Sequence, residues 1–152
     1  MHQLDYIHVQ TEDFSMQAQY QALTVNNPSD GAVVTFVGLV RDMNEGKSVT
    51  SLELEHYPAM VIPALQNIVD EARQRWTLGR VRLIHRVGKL TLNEQIVFVG
   101  VSAKHRGAAF AAAEFIMDFL KTQAPFWKKE TTNDGSHWVQ ARHTDQEKAE
   151  KW

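Results

Sequence analysis

The residues of this sequence that can do chemistry are cations at the ends of apolar stretches. Arg41 closes the run Gly31–Val40, and Lys104-His105-Arg106 stands between the apolar run Gln95–Ser102 and an alanine-rich segment. Lys121 closes that segment, Lys128 and Lys129 follow Pro125, and Arg142 comes just after the last turn. Element ends are where scaffolds expose functional groups. Cations there can hold an anion, stabilise a developing oxyanion or exchange a proton. His105-Arg106 is the most pointed case, because cations at a helix start oppose its dipole and a bound anion removes the conflict. The others have plain readings too. Lys121 near a helix C-terminus gains ~0.3–1 kcal/mol from the dipole. Lys128 and Lys129 point to opposite strand faces, so at most one belongs to a given pocket, and charged alternation also protects sheet edges. Residue types alone leave an anion-binding pocket and a solvated cationic face both open, and they name no reaction.

The absences narrow the chemistry. The chain has no cysteine, which removes disulfides, thiolate nucleophiles, persulfide carriers, iron–sulfur clusters and Cys-based zinc sites. It contains no G-x-S-x-G, phosphate-binding glycine loop, H-E-x-x-H or dinucleotide fingerprint. The seven histidines, His2, His8, His56, His85, His105, His137 and His143, show no ligand spacing. No metal and no cofactor is expected. The net charge of −2 gives no global basic field for nucleic acid. The longest strongly apolar stretch, Ile96–Val101, is too short for a bilayer. Met1–Gln10 does not read as a targeting segment, and the expectation is a cytoplasmic protein.

The elements that must position these cations are legible in outline. The 152 residues, 43% hydrophobic and 22% charged, fit one globular domain over 1–152. Leu4–Val9, Gly31–Val40, Val49–His56, Val81–Val87, Gln95–Ser102, Phe126–Thr132 and Trp138-Val139 read as strands. In Val49–His56 the face with Leu52 and Leu54 is expected to be buried, opposite Val49, Ser51, Glu53 and Glu55. Phe14–Leu23 reads as a short helix capped by Asp13 or Ser15. Met60–Trp76 and His105–Lys121 carry apolar residues at three and four, with Pro58 and Pro63 at the start of the former. Asp42–Lys47 reads as a turn or mobile loop, and Asp145–Trp152 as a polar tail with a last helical turn. Connections too short for parallel crossovers point to an α+β fold with mostly antiparallel sheet.

These residues also carry a resemblance. Gly31-Ala32-Val33-Val34-Thr35-Phe36-Val37-Gly38 with Arg41, Leu54-Glu55-His56-Tyr57-Pro58, Trp76…Gly79-Arg80-Val81 and Ile84-His85-Arg86-Val87-Gly88 resemble the large, catalytic subunit family of molybdopterin synthase. His105-Arg106…Ala109-Phe110 and the block Leu120-Lys121…Pro125-Phe126-Trp127-Lys128-Lys129-Glu130 continue the series in order to the end of the chain. The resemblance implies an α/β hammerhead fold with an added antiparallel β subdomain. It implies a sulfurtransferase of molybdenum cofactor biosynthesis, converting cyclic pyranopterin monophosphate to molybdopterin. The two dithiolene sulfurs come from the thiocarboxylated C-terminal glycine of a small ubiquitin-like partner, whose tail threads into a pocket. A homodimer with a partner at each end, a heterotetramer, is the implied assembly. By the same resemblance Lys121 and Lys128 are the catalytic pair. Leu39, Val40, Arg41, His105, Arg106, Lys129 and Glu130 join them in binding substrate. Leu39 stands where some members carry a basic residue, and Lys104 where many carry a small one. A chain without cysteine needs an external sulfur donor, and a phosphorylated substrate matches the cationic ends. The competing reading is a non-catalytic homodimeric subunit that binds an anionic ligand, for which Lys121 would be dispensable.

Overall fold

In order along the chain the elements are β1 (Asp5–Gln10), α1 (Met16–Thr24), β2 (Ala32–Leu39), β3 (Met43–Asn44), β4 (Lys47–His56), α2 (Pro58–Arg75), β5 (Val81–Arg86), β6 (Gly88–Thr91), β7 (Gln95–Ala103), α3 (Arg106–Gln123), β8 (Phe126–Thr132), β9 (Gly135–Val139) and α4 (His143–Glu150). The computed structural model describes residues 3–44, 46–139 and 143–152, with the backbone alone at Met43, Lys47 and His143. Arg142 and His2 therefore lie outside the described residues.

The first sheet has the order β1-β5-β7-β2, and only its β1–β5 pair is parallel. Its central strands β5 and β7 are largely buried on both faces because both faces are covered. Val81, Leu83, Val97, Val99 and Val101 pack under α2 and α3. Ile84 and Phe98 face the other way, against Phe14 and Leu23 around α1. Gly100 belongs to that second face: a Cβ there would stand 2.6 Å from Leu23 Cδ1, so only glycine lets α1 approach so closely. Ser15 caps α1, its Oγ accepting from the Ala18 N–H at 3.2 Å.

The second sheet is antiparallel, in the order β3-β4-β8-β9, with β6 also paired to β4. Its core is Val40, Leu52, Leu54, Val87 and Leu90. Gly88, at φ +86°, turns the chain from β5 of one sheet directly into β6 of the other. The α+β class with a largely antiparallel sheet and an antiparallel second sheet is thus what the protein adopts.

Three local expectations change. The stretch after Gly88 is a strand, not a connection, because β4 offers it a free edge. Val49 is buried at 4% exposure alongside Leu52, although strict alternation puts the two on opposite faces. A register shift between Val49 and Ser51 against β8 resets the alternation. Helix α2 begins at Pro58 and contains Pro63. That proline leaves the Ala59 carbonyl without its helical donor. The helix continues because Val61, Leu65, Ile68, Val69 and Ala72 form one buried face.

Candidate active site

Pro125 cannot extend α3, and Ala124 ends the helix in extended backbone. The chain therefore passes almost directly from the last turn of α3, which carries Lys121, into β8, which carries Lys128. Strand β8 is fixed by its pairing with β4, where Lys128 lies opposite Leu54. Between them opens a cleft of about 610 Å³, lined by the end of β2, the middle of β4, the last turns of α3 and the first half of β8. That volume suits a small molecule.

Arg41 is aimed into the cleft by its predecessor. The Val40 N–H donates to the Glu94 carbonyl at 3.0 Å, its own carbonyl accepts from the Asn93 N–H at 2.8 Å, and its side chain sits in the second core. Val40 is an anchor with no backbone group left over. Leu39, half-exposed, lines the rim. Glu130 is nearly buried, and its Oε1 accepts from Asn44 Nδ2 at 2.8 Å, which ties β3 to β8.

The electrostatics follow from this crowding. Removal from water, and after it the Lys121 charge, hold the Lys128 ammonium below the usual lysine range; Glu130 and Asp145 oppose the shift and Arg41 adds to it. His85, also in the lining, is pushed down to about 4, chiefly by burial and then by Lys121, His56 and Lys128. Its Nδ1 lies 2.8 Å from the Arg86 carbonyl, and its ring stacks on Phe126 at 3.9 Å between centroids. Among the described residues no group of three or more His, Asp or Glu side chains gathers as a metal site. The basic groups at the cleft suit an anion.

Of the residues expected to bind substrate, the fold brings Leu39, Val40, Arg41, Lys121, Lys128 and Glu130 to one cleft. It does not bring the rest. Lys129 points to the other face of β8, its Nζ 5.6 Å from the centre of the Trp138 ring. His105 and Arg106 are exposed at the far end of α3, about 22 Å from Lys121 along the helix axis. His105 makes no side-chain capping bond there. Sequence reasoning missed His85, Asn44, Asp145 and the aromatic wall of Phe126 and Trp127 as parts of the cleft. A histidine beside the apolar pair Leu83-Ile84 in β5 was the one available signal.

Comparison with known proteins decides the family. The model of the MoaE protein family matches residues 9–123. The chain belongs to the MoaE family. It is 56% identical over 146 residues to the molybdopterin synthase catalytic subunit of Vibrio cholerae, covering 96% of this chain and 97% of that one. Its Escherichia coli counterpart is 55% identical over 141 residues, 93% of each chain. The MoaE protein structure from Burkholderia ambifaria superposes with a TM-score of 0.83 at 51% identity, covering 97% of both chains. The resemblance to the catalytic subunit family is thereby borne out, and with it the reading as an enzyme. Among the described residues no helix is long and apolar enough to cross a membrane.

Proposed function

We propose that this MoaE-family chain inserts the two dithiolene sulfurs of molybdopterin into cyclic pyranopterin monophosphate. The sulfur comes from the thiocarboxylated C-terminal glycine of a small ubiquitin-like partner, whose tail enters the cleft. The observation that carries the reading is the convergence of Lys121 and Lys128 from two elements on one small-molecule cleft, with the Lys128 ammonium held below its ordinary range.

The chemistry asks for such a pair. The thiocarboxylate sulfur attacks a substrate carbon as a C–O bond at that carbon breaks, its oxygen taking the electron pair and then a proton, and the partner's acyl carbon becomes part of a thioester. Water must then add to that carbon, forming a tetrahedral oxyanion that collapses with cleavage of the acyl C–S bond. The sulfur stays on the substrate and the partner leaves as a carboxylate. An ammonium beside the oxyanion stabilises it, and a nearby neutral amine takes a proton from the water. Desolvation brings the neutral form of Lys128 within reach for the second task, and Lys121 supplies the positive charge. Arg41 holds the substrate's phosphate at the rim.

His105 and Arg106 belong to this reading only through a second copy of the chain, since about 22 Å separates them from Lys121 within one chain. In the homodimer each cleft takes these two cations from the other protomer. The partners at both ends make a heterotetramer, and Glu130 acts at the cleft wall rather than on the reacting atoms.

The direct test incubates the protein with cyclic pyranopterin monophosphate and thiocarboxylated partner and assays dithiolene product; no product ends the reading. A partner lacking its last two residues should support none. Complementation tests the shared site. Mixed dimers of Lys121→Ala and Arg106→Ala chains hold one doubly damaged cleft and one intact one, so activity should return on mixing. Absence of recovery in proven mixed dimers places both residues in the same chain's site.

A further inference from the structure

One polar side chain in the cleft has no part in this scheme. His85 projects from β5, an inner strand of the first sheet, is 6% exposed, and lines the cleft. Two contacts fix it. Its Nδ1 faces a carbonyl oxygen, that of Arg86, at 2.8 Å, so Nδ1 carries the hydrogen and donates it. Its ring lies nearly parallel to Phe126, 17° apart, so it cannot turn without displacing the residue that opens β8. The ring's remaining polar atom is Nε2, an unprotonated acceptor.

We propose that His85 is a positioning residue for the lysine pair: its Nε2 accepts a hydrogen bond from Lys121 Nζ during turnover and directs the remaining ammonium protons at the reacting acyl carbon's oxygen. This rests on the sulfur-transfer reading of the cleft. The choice of a neutral acceptor has a physical reason. A carboxylate in that place would hold the ammonium by charge and raise its pKa, whereas an imidazole orients it without fixing its proton. The charged and titratable groups around the ring work to keep it neutral. Lys121 from α3, Lys128 from β8 and His56 from β4 all disfavour its protonation, as does burial. Glu130, Asp145 and Arg41 act on Lys128 at one remove. An acceptor is therefore present throughout the neutral range. A histidine that only fills the core would need the carbonyl bond and the stack but not a place in the cleft lining.

The experiment uses the full chain with its partner and substrate. His85→Phe keeps the stack on Phe126 and removes both nitrogens. We expect a folded protein with unchanged KM and a kcat lower by roughly ten- to a hundred-fold, the scale of a misplaced catalytic group. The pH midpoint of kcat should move down, because loss of an acceptor disfavours the protonated amine. His85→Gln, which places an amide oxygen near the Nε2 position, should recover part of both. A folded His85→Phe with kcat and pH midpoint within about twofold of wild type overturns the proposal. Should His85→Phe not fold, nitrogen NMR of the unaltered protein decides. The expected result is the Nδ1–H tautomer with a pKa near 4 that rises in Lys121→Ala; the other tautomer, or no response to that substitution, overturns it. A wild-type protein that makes no dithiolene would sink the functional reading instead, and the NMR result would still report on His85.

Discussion

At its N-terminal end α3 presents Lys104, His105 and Arg106 to solvent with no side-chain cap. At its C-terminal end it sets Lys121 beside Lys128 in a cleft that also holds Glu130, Asp145 and the buried His85. The charges have the same sign, and the surroundings make the difference. The first group is wet, opposes the helix dipole and suits an anion brought to it from outside. In the second group the exposed Lys121 stands beside a largely desolvated Lys128, and burial and that neighbouring charge move Lys128 towards the neutral form that can handle protons. One helix thus carries a binding end and a reacting end, too far apart to serve one small molecule in one chain.

The largest effect that tests this contrast is at the reacting end. Lys121→Arg keeps the charge and the dipole interaction, but the planar guanidinium cannot place its donors where the compact ammonium does. It should fold, bind the partner and lose ~10²–10³-fold in turnover. Near-normal turnover would mean that positive charge alone, without the ammonium's geometry, is what position 121 supplies. Turnover preserved in Lys121→Ala would favour the non-catalytic, anion-binding subunit.

Buried His85 gives the next. Its pKa is about 4 in the folded protein against 6.5 in the unfolded chain. The unfolded state therefore binds the extra proton first. Stability from this group is complete above about pH 6.5 and is lost as the pH falls to about 4, by about 3 kcal/mol. Denaturant titrations from pH 7 to 4 should show this slope in wild type and a shallower one in His85→Phe. Equal slopes would mean that the ring charges as easily folded as unfolded.

At the binding end, Arg106→Ala removes a forked, charged hydrogen bond of ~1.5–3 kcal/mol, so substrate affinity should fall by roughly one to two decades. Arg41→Ala should behave alike from the other side of the site. Calorimetry with substrate checks both, and wild-type affinity in the pair would put the phosphate elsewhere.

The smallest effect lies where α4 packs on α3. Trp152 packs edge-on against Trp76 and Phe115, and its Nε1 donates to Asp118 Oδ2 at 2.6 Å. Together with the Lys151–Glu114 ion pair it holds α4, and so Asp145, against α3. Trp152 is only half-buried, so Trp152→Ala should cost at most about 2 kcal/mol, below the ~3–5 kcal/mol of a fully buried tryptophan. Faster hydrogen exchange confined to α4 is the expected readout. With Asp145 withdrawn, the Lys128 pKa should fall further, since that carboxylate raises it.

Much of this was written locally in the chain. The three-and-four spacing of α2 and α3, the β-branched run of β2, the stop at Pro125 and the alternation that separates Lys128 from Lys129 are properties of neighbours in sequence, and local sterics and burial act on neighbours. The cationic ends were legible for the same reason, and the ordered blocks assigned the family. Tertiary structure alone decided the rest. β6 became a strand because β4 offered an edge, and Val49 went inward because its register against β8 slips by one. His85 acquired a low pKa because Phe126, Lys121 and Lys128, from segments 36 to 43 residues away, close over it. Desolvation and Coulomb interactions depend on distance in space, not on spacing in the chain. The sequence could therefore name the lysines, and only the folded cleft could lower the pKa of Lys128.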